Sequence, residues 1–375
     1  MRILFISNST APTGAPKALL SLLSGLIREG HKVGVVMPDR KGPMYAAIRE
    51  LGASCWASMP YRLTIYPQCI DSRKRRKRMQ ELRKLHIVRN YVGTIMDEFH
   101  PDIVHTNVGP LDLAFDECLK RGIPHVWHLR EFQEGMRFYP SRKTFIRKIS
   151  SKTNHCVSIS NAVSNHWGGI GRVIYDGVAA SPTGTDQTTR RKREFLFVGR
   201  VEKQKDPMTL LRAFNRFRDC HPDWTLNIVG KDTGWYALRC KIYSAICLPR
   251  GAVKFSGICD NVPELMSQSA ALVVPSRNEG FGLTLVEAMN AGCPVIARDS
   301  AGLKEQMDNG RKWTGREIAF RFNNAEDLAA RMENLAKSNG LAAMCTAARE
   351  AAAHYSVENS VRELTEYYQE ILNGR

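Results

Sequence analysis

Residues 275–297, PSRNEGFGLTLVEAMNAGCPVIA, constrain this chain more than any other stretch. An apolar run at 270–274 precedes them and reads as a fully buried strand, which Pro275 ends because it has no N–H for the ladder. A polar, glycine-bearing loop then leads into Leu283-Thr284-Leu285-Val286-Glu287-Ala288-Met289, good helix formers with apolar residues at helical spacing. Gly292 stops that helix, and 293–297 is the next buried strand. Strand, glycine loop, helix, strand leaves backbone N–H groups free at a helix N-terminus, outside the carboxyl end of a parallel sheet. Phosphate binds in such a place.

Two carboxylates bracket that anion site, Glu279 in the loop and Glu287 in the helix, eight positions apart. Glu287 falls in the second turn, far enough down not to contest a phosphate, and can accept hydrogen bonds from neighbouring hydroxyls such as a ribose diol. Glu279 lies on the open side, where the group beyond the phosphates would sit. Between them stands Gly280-Phe281-Gly282. This pattern resembles the Glu-x7-Glu signature of the retaining glycosyltransferases of family 4, which have the GT-B fold. The resemblance implies an α/β chain of two doubly wound, Rossmann-like domains facing across a cleft. Donor contacts are then expected from Gly280, Phe281, Gly282, Leu283, Thr284 and Glu287, with Glu279 on the sugar.

The length of 375 residues suits two domains with full cores, and 43% apolar with 24% charged residues is ordinary soluble composition. No apolar run approaches the ~18 residues of a membrane span, and Ile3-Leu4-Phe5-Ile6 is too short for a signal-peptide core. Ten scattered cysteines, none two or three apart, fit neither a zinc ribbon nor a redox pair and read as reduced, mostly buried thiols of a cytoplasmic protein. The net charge of +17 implies attraction to something acidic: nucleic acid, an anionic membrane or phosphorylated ligands.

In order along the chain, 1–7 is a buried-type strand, followed by a loop and a helix from about Pro16, buried through Leu19, Leu20, Leu22, Leu23, Leu26 and Ile27 and closed by Gly30. Thr13-Gly14-Ala15 at its start is a second loop that can face phosphate. The family usually has Gly-Gly there with a polar residue two positions on, so of this loop only Gly14 carries over. Residues 72–84, SRKRRKRMQELRK, form the densest charge run, with Arg73, Lys74, Arg75, Arg76, Lys77 and Arg78 consecutive. Such a run is either a solvated face or mobile loop, or a patch for an anionic membrane surface. Nothing nearby is a base-stacking platform, and no nucleic-acid-binding motif is present, so nucleic acid is not expected as a partner. The strands at 101–107 and 123–129 each end near a histidine, His105 and His128. The second, WHLREF, is similar to the family segment bearing an active-site histidine, which favours His128 for the catalytic role.

Residues 156–161 and 173–178 complete the first domain, Asp176 replacing the asparagine usual in the family. The expected boundaries are 1–178 for an acceptor-side domain, 179–193 for a linker without periodicity, 194–355 for a nucleotide-sugar domain, and 356–375 for a last helix crossing back onto the first domain. The second domain opens with a strand ending at Gly199. By resemblance, Arg200 directly after it and Lys205 five further on bind the donor diphosphate, and Asp206 replaces a frequent glycine. Ile258 opens the loop that commonly faces the nucleobase.

The expected activity is transfer of a sugar, with retention, from a nucleotide-diphosphate sugar to a hydroxyl of a saccharide or lipid-linked saccharide acceptor. Cell-surface polysaccharide or glycolipid synthesis, at the inner face of the membrane, is the setting it implies. Glu279, His128, Arg200 and Lys205 are the expected catalytic set. No cofactor is expected, nor a metal, since no Asp-x-Asp motif exists and cations with backbone N–H groups can offset the leaving group's charge. Two rivals remain: a nucleotide-sugar epimerase of the same fold, and a non-enzymatic basic membrane- or nucleic-acid-binding module.

Overall fold

In the computed structural model the residues described are all except 66–71, 133–141, 152–153, 181–190, 339–340 and 375, together with the side chain of Lys74. The chain divides into two units, Met1–Gly177 with Val357–Arg375, and Val178–Ser356. Most of the expected linker, 181–190, lies outside the described residues. Its last residues, Lys192 and Arg193, already belong to a strand.

Unit 1 opens with β1 (Arg2–Ile6), α1 (Gly14–Arg28), β2 (Lys32–Val36), α2 (Pro43–Glu50) and β3 (Ser54–Trp56). Two consecutive helices, α3 (Ser72–Arg83) and α4 (Leu85–Phe99), lead to β4 (Ile103–Thr106), α5 (Phe115–Arg121) and β5 (His125–Leu129). Then come α6 (Arg142–Ile149), β6 (Asn154–Ser158), α7 (Asn161–His166) and β7 (Arg172–Val173). These seven strands form one parallel sheet in the order β3-β2-β1-β4-β5-β6-β7. The apolar β1 lies inside it between β2 and β4, with Ile3, Leu4, Phe5 and Ile6 fully buried, which is why the strand reads as a continuous apolar run. The first helix begins at Gly14, so Pro16 lies within its first turn.

Unit 2 runs β8 (Lys192–Val198), α8 (Pro207–Arg218), β9 (Thr225–Val229), α9 (Trp235–Cys247), β10 (Val253–Gly257) and α10 (Val262–Gln268). It continues with β11 (Ser269–Val274), α11 (Leu283–Asn290), β12 (Val295–Arg298), α12 (Ala301–Thr314), β13 (Phe320–Phe322), α13 (Ala325–Lys337) and α14 (Leu341–Ala352), ending in a short 3-10 turn, Ala353–Tyr355. Its parallel sheet has the order β10-β9-β8-β11-β12-β13. The last helix, α15 (Val357–Asn373), packs back into unit 1: Val357, Val361, Leu364, Tyr368 and Ile371 join Leu19, Leu22, Leu23 and Leu26 of α1 in one core.

In both sheets the strand order reverses once, between β1 and β4 in unit 1 and between β8 and β11 in unit 2. Loops leaving the carboxyl ends of strands on either side of such a point diverge and open a crevice for ligands. In unit 2 the two loops are 199–206 and 275–282. In unit 1 they are 7–13, which leads into Gly14 at the start of α1, and the loop after β4 that begins at Asn107, with His128 on the adjoining β5.

Four of the nine described cysteines are buried and none is in a disulfide, so the expectation of mostly buried thiols is corrected.

Candidate active site

The anion site in unit 2 is built by Gly282. Its φ of +99° puts it in left-handed backbone, and a Cβ there would stand 2.7 Å from Leu303 Cδ2, so any other residue meets both strain and a clash. The turn aims α11 with its first N–H groups outward. Those of Leu283 and Thr284 have no acceptor among the described residues, the state of a helix N-terminus awaiting an anion. Glu287, the fifth residue of α11, is half-buried one turn further down. Phe281 differs from its assignment: its ring is buried edge-on against Tyr355 at 5.3 Å, so only its backbone faces the loop.

The loop is held from behind by α12. Gly302 N donates to Glu279 O at 3.0 Å, and a Cβ on Gly302 would overlap the Gly280 carbonyl oxygen at 2.3 Å. Gln306, fully buried on the same helix, has neither amide atom hydrogen-bonded among the described residues, and its Oε1 lies 3.5 Å from where a Gly282 Cβ would be. No residue pattern singles out Gly302 or Gln306, since both depend on how closely α12 approaches a loop 20 residues earlier.

The loop after β8 brings the cations. Lys205 Nζ lies 2.6 Å from Glu279 Oε2, with both side chains about three-quarters buried. Arg200, more than half exposed, pairs with Glu202 at 2.9 Å. Ile258 follows β10 with most of its side chain in solvent. Asp206 occupies left-handed backbone, φ +49°, where a frequent glycine was replaced. Its buried Oδ2 accepts from Arg277 Nε at 3.0 Å, Arg298 Nη2 at 2.9 Å and Thr209 Oγ1 at 2.8 Å. Three donors on one carboxylate tie the loop after β8 to the first turn of α8, the loop after β11 and the end of β12, and offset the backbone strain.

Unit 1 carries a chain of hydrogen bonds that sets the tautomer of His128. Tyr368 Oη lies 2.6 Å from His105 Nδ1, and His105 Nε2 lies 3.1 Å from His128 Nδ1. Arg130 Nη2 points at the same His128 Nδ1 from 3.4 Å. A guanidinium only donates, so His128 Nδ1 is an acceptor and the ring proton is on Nε2. The direction then follows backwards: His105 donates from Nε2, and Tyr368 donates to its Nδ1. Burial, then the Arg130 charge, holds both imidazoles well below the ordinary histidine range, so both are neutral. His128 Nε2–H has no partner among the described residues, and the ring lines a cavity of about 10 Å³, the size of one water. Arg130 is held in turn by Asp176, Nη1 to Oδ2 at 2.5 Å, and by the Asn107 carbonyl at 2.8 Å. Here the departure to Asp176 supplies the counter-charge for a buried arginine. The sequence signal for Tyr368 is a hydroxyl among the apolar positions of the last helix, Val361, Leu364 and Ile371.

The basic run is a helix, α3, in place of a loop. Arg78 is not a free surface cation, because it donates to the carbonyls of Leu63 and Ile65 and pairs with Glu81 at 2.8 Å. Arg75, Arg76 and Lys77 are exposed.

No group of three or more metal-ligating side chains occurs among the described residues, and no helix there is long and apolar enough to cross a membrane.

Two parallel Rossmann-like sheets, each with its crevice at the reversal of strand order, define the GT-B class. A solved structure of the Anabaena protein HepE in complex with UDP superposes with a TM-score of 0.77 over 99% of this chain and 100% of that one, at 19% identity. Two family models match in succession, Glycosyltransferase Family 4 over residues 12–181 and Glycosyl transferases group 1 over 186–354. The chain belongs to the group 1 glycosyltransferases of GT-B fold. Among curated relatives, a lipopolysaccharide core biosynthesis mannosyltransferase of Rhizobium meliloti is 28% identical over 184 residues, 46% of this chain and 50% of that protein. A glycogen synthase of Mycobacterium tuberculosis is 32% identical over 145 residues, 37% of this chain and 34% of its own length. The matched regions thus span half or less of these curated relatives.

Proposed function

We propose that the chain is a retaining, metal-independent glycosyltransferase that moves a sugar from a nucleotide-diphosphate sugar to a hydroxyl of a saccharide or lipid-linked saccharide, in polysaccharide or glycolipid synthesis at the cytoplasmic face of a membrane. The observation that carries this reading is the α11 N-terminus, with the free N–H groups of Leu283 and Thr284, beside the Lys205–Glu279 pair and one turn above Glu287. The mannosyltransferase relative and the UDP complex of the Anabaena neighbour support the same chemistry.

The diphosphate sits on the N–H groups of Leu283 and Thr284, with Arg200 and Lys205 offsetting its charge as the bond to the sugar breaks. Arrival of the diphosphate draws Lys205 from Glu279, and the freed carboxylate accepts hydrogen bonds from sugar hydroxyls. Glu287 accepts from the ribose diol. Unit 1 takes the acceptor side, with Gly14 starting α1 at the end of the loop after β1, and neutral His128 offers Nε2–H to a sugar hydroxyl through the water-sized cavity that it faces. No carboxylate is assigned as a covalent nucleophile, so no double displacement is proposed.

The test is incubation with nucleotide sugars in EDTA, with and without a saccharide acceptor, following release of nucleoside diphosphate. Acceptor-dependent release with the anomeric configuration kept supports the reading. Conversion of the donor to an isomer without acceptor would instead assign an epimerase.

A further inference from the structure

Seven large apolar side chains are exposed among the described residues, and four of them stand on one helix, α9: Trp235, Leu238, Ile242 and Ile246. At about 100° per residue the four fall within an arc of about 80° and run about 16 Å along the helix axis. The opposite side of α9 carries Ala237 and Cys240, both fully buried, which seat the helix in the core of unit 2. The helix is therefore apolar on two sides, and only one of them is covered. Trp235 and Ile246 are 73% and 77% exposed, so nearly their whole side chains meet water. Single exposed apolar residues are ordinary, but a continuous stripe marks a surface that something covers.

The charge of this segment of chain says what that is. From 231 to 254 the cations are Lys231, Arg239, Lys241, Arg250 and Lys254, against one acid, Asp232, which is paired with Lys241 at 2.7 Å. Arg239 stands about 40° around the helix from Trp235, on the rim of the stripe, and makes no hydrogen bond or ion pair among the described residues. Two copies of the chain meeting through this face would bring like charges together on molecules of net charge +17. An anionic lipid surface satisfies both features at once, taking Trp and Ile into the boundary between headgroups and acyl chains and the cations onto the phosphates.

We propose that α9 docks unit 2 onto an anionic membrane, through the stripe Trp235, Leu238, Ile242 and Ile246 with Arg239 at its rim. This goes beyond the transfer reading and does not depend on it, because binding is measured without donor or acceptor. It also differs from attachment through α3, which uses charge alone and belongs to unit 1.

The experiment uses the full chain and vesicles of phosphatidylcholine with or without phosphatidylglycerol. The wild type is expected to bind only the vesicles with phosphatidylglycerol, with indole fluorescence quenched by brominated acyl chains and that quenching lost in Trp235→Phe. The double variant Ile242→Ser/Ile246→Ser should keep its circular dichroism and melting temperature, since both residues are exposed, and should bind about tenfold more weakly or worse. Arg75→Ser/Arg76→Ser/Lys77→Ser separates the two surfaces, and the quenching of Trp235 should survive in it. The proposal is overturned by binding that ignores phosphatidylglycerol or by no binding at all. Binding lost with the α3 cations but not with Ile242 and Ile246 overturns it too. So does a concentration-dependent dimer in ultracentrifugation that the double variant abolishes while vesicles are ignored, which would assign the stripe to a second copy.

Discussion

Lys205 Nζ and Glu279 Oε2 stand 2.6 Å apart, so the cation and the carboxylate at the reversal point of the second sheet hold one another. Residues 74 positions apart meet because β8 and β11 are neighbours and their loops turn into the same crevice. An anion placed at α11 competes with Glu279 for Lys205.

Glu279→Gln separates binding from transfer. With the competing charge gone, Lys205 is free and nucleoside diphosphate affinity should hold or rise a few-fold, the pair being partly solvated and worth ~1 kcal/mol or less. Transfer should fall about 10²-fold or more as the sugar loses its charged acceptor. Lys205→Ala should lose both. Calorimetry alongside turnover measures the split, and a loss of diphosphate affinity in Glu279→Gln would contradict it.

The histidine chain predicts a tautomer. In wild-type protein ¹⁵N shifts should show His128 neutral with its proton on Nε2. Tyr368→Phe removes the donor to buried His105 Nδ1 and should cost about 1–3 kcal/mol of stability. A His128 signal with the proton on Nδ1 would overturn the direction assigned to the whole chain.

Asp206 predicts an order among its variants. Asparagine tolerates left-handed backbone and keeps hydrogen bonds, so Asp206→Asn should lose about 1–3 kcal/mol. Asp206→Ala adds backbone strain and leaves Arg298 partly buried without a counter-ion, for about 3 kcal/mol or more. Asp206→Gly should lie between them, since it relieves the backbone but not the charge. Denaturant melts give the order, and an alanine variant as stable as wild type would show that the carboxylate holds nothing.

Acid should destabilise unit 1 through histidines folded neutral. Burial lowers His105 and His128 well below 6.5 and His125 to about 4, so the unfolded chain takes up protons that the native state refuses. Their contribution is present above pH 6.5 and is lost as pH falls toward 4, each proton changing stability by about 1.4 kcal/mol per pH unit. Glu131 has the opposite sign. Burial raises it to about 7, so its contribution is present below 4.5 and lost as pH rises through 7. Between 4.5 and 6.5 it offsets one histidine, and Glu131→Gln should steepen the acid loss by one proton. An unchanged slope would contradict the burial of that carboxyl.

Local chemistry made much of the architecture readable. The central strands are unbroken apolar runs, and α11 was delimited by Pro275, Gly282 and Gly292. The three-residue strand β3 and the short helix α2 escaped notice because neither is long enough to show a period. The helix α3 was hidden for a different reason: Met79 and Leu82 are nearly its only apolar residues, so helix formers were present without an amphipathic face. The pairs that shape the sites, Lys205 with Glu279, Asp206 with Arg298 and Tyr368 with His105, join residues 74, 92 and 263 positions apart. Their partners were each visible as residue types, but the contacts are products of topology.

The central claim, that unit 2 binds a nucleotide sugar with Glu287 on the ribose, is tested most directly by calorimetry of nucleoside diphosphates in EDTA. Wild type should bind UDP, GDP or ADP and discriminate against the matching deoxy form. Glu287→Ala should lose ~1.5–3 kcal/mol for the ribonucleotide and bind both forms alike. Equal affinity of wild type for ribo and deoxy forms, or binding that appears only when a divalent metal is restored, would contradict the account.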